Sequence, residues 1–252
     1  MVNLIKTENL SKEFILDKKN KITVLKNINL EIKKGEFISV MGASGSGKST
    51  LLYSISGMDK VSSGKVFFEN KNLSDLNEKD LSKIRLEKMG FVFQNIHLLK
   101  NLNIMDNIVL PAYNLNKSPK KLINKKAELL SEKTGIKNLL NNEINQASGG
   151  QLQRVGICRA LINNPEIIFG DEPTGALNSK SSEEIMNLFT QINKDGTTVL
   201  LVTHDVKVAS KTDRIIFLKD GEVSGKLIMD KEIKDNKKRE LFLTEWLTKM
   251  GF

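Results

Sequence analysis

The chain has 252 residues, 39 Lys and Arg against 30 Asp and Glu for a net charge of +9, and one cysteine. The length suffices for a packed core, the lone cysteine excludes a disulfide framework or cysteine-based zinc site, and two histidines, His97 and His204, argue against a multi-histidine metal centre. No apolar run reaches the roughly 18–20 residues that span a bilayer, and the opening MVNLIKTENLSKEF reads as no signal peptide.

The first third predicts strands joined by turns. LIKTENLSKEF and ITVLKNINLEI are rich in Ile, Leu, Val and Phe, and the second closes at Lys34-Gly35. FISVM (37–41) is short, apolar and β-branched, as a buried strand requires. STLLYSISG (49–57) has helical spacing and stops at Gly57, and KVFFEN (65–70) and GFVFQ (90–94) predict further strands. From about 95 to 160, Leu, Ile, Lys and Asn recur at helical spacing with a break at Ser118-Pro119. IIFGD (167–171) and TVLLVTH (198–204) are the near-continuous apolar runs of parallel strands covered on both faces. IIFLKDGEV (215–223) carries an Asp220-Gly221 hairpin signal. Leu243, Trp246, Leu247 and Met250 form one apolar face of a C-terminal helix, which docks on the core, meets a permease or the membrane surface, or stays free.

This pattern predicts one α/β domain over residues 2–252. Its α/β core spans 1–94 and 161–235, a helical subdomain 95–160 is inserted, and a helical tail covers 236–252. The sheet is largely parallel. The lysines are scattered, and the clusters Lys117 to Lys126 and Lys231 to Arg239 are interrupted, so the positive charge reads as solvated faces and not as a nucleic-acid footprint.

The strongest local signal is Gly42-Ala43-Ser44-Gly45-Ser46-Gly47-Lys48-Ser49, followed by Thr50. It fits G-x-x-x-x-G-K-S/T between a strand and a helix. The glycines curl the backbone so that N–H groups and the helix N-terminus face phosphate oxygens. Lys48 would reach the β- and γ-phosphates, and Ser49 would ligate Mg²⁺. Asp171, ending a buried strand, is suited to holding Mg²⁺, and Glu172 to acting as general base or water-positioning group. Ser148-Gly149-Gly150-Gln151, just before a helical run, is a second anion-binding loop of a different kind. Two such loops in one chain suggest a two-fold dimer in which the Ser148 loop of one copy closes over the nucleotide held by the other.

With these motifs in this order, residues 2–225 resemble the ATP-binding cassette (ABC) ATPases. The resemblance implies a P-loop core with an N-terminal antiparallel β subdomain, and ATP and Mg²⁺ as the bound species. It implies that Gln94 begins the Q-loop and touches Mg²⁺, that His204 contacts the γ-phosphate, that Phe14 stacks on adenine, and that 175–178 form a loop crossing the dimer interface. Two positions depart from the family pattern: Ala147 replaces a usual leucine, and Asn178 stands where aspartate is common. GASGSGKSTLLYSISGMD, FVFQNIHLL and DEPTGALNSKSS resemble the subgroup of macrolide export, lipoprotein release and antimicrobial-peptide resistance, and the tail resembles its bacitracin- and lantibiotic-resistance members. The implied partners are a separate transmembrane permease, a second ATPase copy and a sensor kinase acting through the permease. The implied location is the cytoplasmic face of the membrane. An ATPase switch gating a cell-wall hydrolase is an alternative that these motifs leave open.

Overall fold

The computed structural model describes residues 2–15, 21–230 and 232–252. In chain order the elements are β1 (Asn3–Ile15), β2 (Lys21–Ile28), β3 (Glu31–Lys33), β4 (Phe37–Met41), α1 (Lys48–Ile55), β5 (Ser63–Phe68), β6 (Lys71–Asn72), α2 (Glu78–Lys88), β7 (Met89–Phe93), α3 (Ile104–Leu115) and α4 (Lys120–Lys133). Then come α5 (Gly149–Leu161), β8 (Ile167–Asp171), α6 (Ser179–Lys194), β9 (Thr198–Val202), α7 (Val206–Ala209), β10 (Arg214–Lys219), β11 (Glu222–Ile228) and α8 (Asn236–Lys249). The chain divides into two compact units, one of residues 1–81 and 198–252, the other of 82–197.

In the first unit, β1 pairs antiparallel with β2, β3 and β5, which forms the expected antiparallel N-terminal subdomain. A parallel sheet places β4 between β9 and β10. Every residue of β4 and β9 is buried, which explains why both read as unbroken apolar runs. The antiparallel strand β11 closes this sheet through the Asp220-Gly221 turn, whose two residues have φ of 49° and 81°, the left-handed pair a two-residue hairpin needs.

The C-terminal helix α8 is docked. Leu243 and Leu247 are buried against Met41, Ile215 and Phe217, with Trp246 and Met250 packed alongside. Gly225 on β11 makes the close approach possible, since a Cβ there would stand 2.8 Å from Met250 Cε and 2.9 Å from Trp246 Cζ2. Arg239 then pins the helix start, donating to the Ser210 and Thr212 carbonyls at 2.6 and 2.8 Å.

In the second unit, β7 and β8 pair in parallel. Helices α3, α4 and α5 share one core of Ile104, Ile108, Ala127, Val155 and Cys158 with their neighbours. Cys158 is fully buried beside Thr134, and burial pushes its thiol up to about 11. The helix α2 is absent from the expectations. Its sequence EKDLSKIRLEK buries no residue, so it carries no apolar stripe to read.

Candidate functional site

Strand β4 ends at Met41, and residues 42–47 turn the chain into α1. The turn depends on two close approaches. A Cβ at Gly42 would meet the Leu218 carbonyl oxygen at 2.2 Å, and one at Gly47 would lie 3.0 Å from the Val24 carbonyl oxygen. Gly47 also has φ 97° and is the N-cap of α1 without a side-chain cap. The start of α1 is thus shaped by backbone and not by a capping side chain, and a helix N-terminus favours an anion. Lys48 is 8% exposed, and its ammonium donates to the Gly42 and Ala43 carbonyls at 2.9 and 2.8 Å. Those bonds hold a positive charge at the centre of the loop. Ser46 Oγ is buried with no hydrogen-bond partner. An orphaned hydroxyl in a loop of curled backbone fits a ligand rich in acceptor oxygens.

His204 lies just beyond β9, exposed, at the same end of the parallel sheet as this loop, because β4 and β9 run in register from Phe37↔Val199 to Val40↔Val202. Ligands of such sheets bind at the carboxyl ends of the strands. Phe14, near the end of β1, is 41% exposed.

The second unit repeats that logic on its own strands. Phe93 pairs with Asp171, so Gln94 and Glu172 leave the same end of the β7–β8 pair. The Gln94 amide lies against the following loop, 2.9 Å from where a Cβ on Gly175 would stand. Glu172 has φ 47°, a left-handed conformation uncommon for a non-glycine residue. Such strain concentrates at functional positions.

Ser148 is the N-cap of α5. Its Oγ accepts from the Gln151 N–H at 3.4 Å, and its own N–H donates to Gln151 Oε1 at 2.8 Å. This is a capping box, and it commits the Gln151 side-chain oxygen to the loop itself. The Ser148 hydroxyl hydrogen is not used by that bond, because the oxygen is the acceptor. Gly149 and Gly150 adjoin residues 177–181, a Cβ on Gly150 meeting Ser181 Oγ at 3.1 Å. Asn178 caps α6 by accepting from the Ser181 N–H at 2.9 Å. Asn and Asp are equivalent in that duty, so the departure from aspartate keeps the local structure.

Two site-supporting residues escape sequence reading. The Arg159 guanidinium donates to the Ile96 and His97 carbonyls at 2.6 and 2.8 Å, and Gln153 Nε2 to the Phe93 carbonyl at 3.2 Å. Together they moor the segment around Gln94 to α5. Burial lowers the Arg159 pKa from its ordinary value. Their sequence signal was that both are polar residues, with Arg154 a third, within the mostly apolar run LQRVGICRALI.

The predicted Mg²⁺ ligands Ser49, Gln94 and Asp171 all offer oxygen, the donor set that this hard cation takes. Among the described residues no group of three or more His, Cys, Asp or Glu could hold a metal by itself. A cation bound partly by nucleotide phosphates fits such a donor set.

A glycine loop between a buried parallel strand and a helix, with a lysine folded back over it, defines the class of P-loop nucleotide-binding proteins. The comparisons narrow this. The model of the family described as ABC transporter matches residues 25–175. The chain is 47% identical to the uncharacterized ABC transporter ATP-binding protein MJ0796 of Methanocaldococcus jannaschii, over 87% of this chain and 95% of that one. The dimeric post-hydrolysis structure of MJ0796 bound to ADP and Pi matches with a TM-score of 0.84 over 90% of this chain and 99% of that chain, at 43% identity. The lipoprotein-releasing system ATP-binding protein LolD of Aquifex aeolicus is 41% identical over 90% of this chain and 99% of its own. The macrolide export ATP-binding/permease protein MacB of Vibrio parahaemolyticus is 44% identical over 87% of this chain and 33% of its own length. The chain belongs to the ABC transporter family, as an ATP-binding, ATP-hydrolysing subunit.

Proposed function

We propose that this subunit hydrolyses ATP between two copies of itself and drives a separate membrane permease. The observation that carries this reading is the presence in one chain of two glycine-containing loops of different build, each opening a helix, one around Lys48 and one around Ser148. Lys48 and the N–H groups of 42–50 bind the phosphates, with Ser46 Oγ as a further polar group in the loop. Phe14 stacks on adenine. Ser49, Gln94 and Asp171 hold Mg²⁺, which when bound neutralises phosphate charge. Glu172 takes a proton from the attacking water, and His204 steadies charge developing on the γ-phosphate. Ser148 donates its hydroxyl hydrogen, and Gly149 and Gly150 their N–H groups, to the nucleotide held by the second copy.

The permease partner is supported by the MacB name, in which ATP-binding and permease parts share one chain. Recruitment by that partner would place the subunit at the cytoplasmic face of the membrane. For the cargo, we favour resistance to bacitracin-like or lantibiotic-like peptides, with a sensor kinase working through the permease. The motif wording and the tail support this branch. The names LolD and MacB favour lipoprotein release or macrolide export instead.

The Glu172→Gln variant tests the chemistry. It should bind ATP and form dimers while its turnover falls by about 10²–10⁴-fold, the usual contribution of a general base. Near-normal turnover removes Glu172 from that role. For the cargo, disrupting the gene should raise sensitivity to bacitracin or nisin. Unchanged sensitivity to both rejects the peptide branch.

A further inference from the structure

Lys12 is only 8% exposed, unusual for a lysine. It precedes Phe14 by two on β1, and residues two apart on a strand share a face. Its ammonium stands 4.9 Å from the centre of the Phe14 ring, inside the range of a cation–π interaction. The same ammonium donates to the Asp59 carboxylate at 2.6 Å and to the Lys60 carbonyl at 2.7 Å.

Asp59 belongs to the turn that ends the phosphate-loop helix. The Met58 and Asp59 N–H groups both donate to the Tyr53 carbonyl of α1, at 2.9 and 3.0 Å. Beside it, Ser62 clasps β1: its N–H donates to the Ser11 carbonyl, and its Oγ accepts from the Glu13 N–H, both at 2.9 Å. A continuous strap therefore runs from the phosphate loop along α1 to Asp59, across Lys12, to the Phe14 ring.

We propose that Lys12 is a positioning residue for base recognition, holding the Phe14 ring at a fixed reach from the phosphate loop. The proposal rests on the reading of Phe14 as the adenine-stacking residue. An exposed ring without such a grip samples several rotamers, and binding then bears the cost of ordering it. Lys12 removes that cost in advance. Its charge is matched by Asp59, so it adds little to phosphate attraction. The effect of Lys12 should therefore depend on the base.

The test compares dissociation constants for ATP and for inorganic tripolyphosphate, which has phosphates and no base. Lys12→Met should weaken ATP about three- to tenfold, the scale of one cation–π interaction, and leave tripolyphosphate unchanged. Lys12→Arg should recover most of the loss. Asp59→Asn should shift ATP in the same direction by less, and Lys12→Met should add nothing in a Phe14→Ala background. Unchanged ATP affinity in Lys12→Met overturns the proposal. So does equal weakening of both ligands, which would make Lys12 a support of the phosphate helix alone. Should Phe14→Ala leave the ATP-to-tripolyphosphate ratio unaltered, the reading of Phe14 falls and takes the proposal with it. A ratio altered by Phe14→Ala but not by Lys12→Met sinks the proposal alone.

Discussion

The loops that open α1 and α5 face the same physical problem and solve it in opposite ways. Each begins a helix whose first N–H groups need acceptors. At α1 the cap is Gly47, with no side chain to offer, and the loop is shaped by glycines and by a lysine bound to its own carbonyls. At α5 the cap is Ser148, and Ser148 and Gln151 satisfy each other reciprocally. The first loop is shaped by its own backbone and by Lys48, with no side chain capping the helix. The second is closed by its own side chains, and its capping bond leaves the Ser148 hydroxyl hydrogen unused. The α1 loop is thus built from backbone and one lysine, whereas the α5 loop is built from a side-chain capping box.

Substitutions can break this contrast, starting with the largest effect. Lys48→Ala should reduce ATP affinity by about two orders of magnitude, the scale of removing a charge-assisted hydrogen bond from a shielded loop. Calorimetry with ATP checks this, and tight binding would contradict the role given to the loop. Ser148→Ala should show the reverse profile. ATP affinity of the isolated subunit holds, turnover collapses, and stability falls by about 1 kcal/mol from the missing cap. In a chain of this size that lowers Tm by about 2–4 °C. Ser148→Asp separates the two duties of this residue. Aspartate caps as well as serine, so Tm should recover, while the carboxylate repels a phosphate and turnover should not. Recovered turnover would show that capping was the serine's only task.

The α5 scaffold offers a prediction in pH. The Cys158 thiol is raised from 9.0 to about 11 in the folded chain by burial. The folded state thus keeps its proton where the unfolded state loses it, so the contribution is intact below pH 9 and is lost as pH rises toward 11. The loss is on the order of 2–3 kcal/mol. Denaturant melts of wild type and Cys158→Ala between pH 8 and 11 should therefore converge with rising pH. Parallel curves would contradict the buried thiol. The smallest effect is Gln151→Ala, which removes half of the box and should cost a few tenths of a kcal/mol, roughly the lower end of capping effects.

What the sequence disclosed follows from the range of each interaction. FISVM and IIFGD were bounded to the residue because burial on both faces makes a strand an unbroken apolar run. The Asp220-Gly221 hairpin was equally legible, since turn chemistry is local. The helix α2 was invisible because nothing on it is buried. Lys12 and Arg159 looked like ordinary cations, because their meaning depends on Asp59 and on the Ile96 and His97 carbonyls, dozens of residues away. The Ser148 loop was located from sequence, but the engagement of Gln151 with Ser148 needed coordinates.

The placement of β4 has a consequence for how the protein is made. Its five buried residues lie between β9 and β10, whose segments begin at Thr198 and Arg214. At synthesis rates of about 5–20 residues per second, β4 waits on the order of 10–30 s for those neighbours. Throughout that interval an apolar strand and the phosphate loop attached to it lack the walls that shape them, Leu218 among them. The loop can therefore take its final shape only after most of the polypeptide has been synthesised.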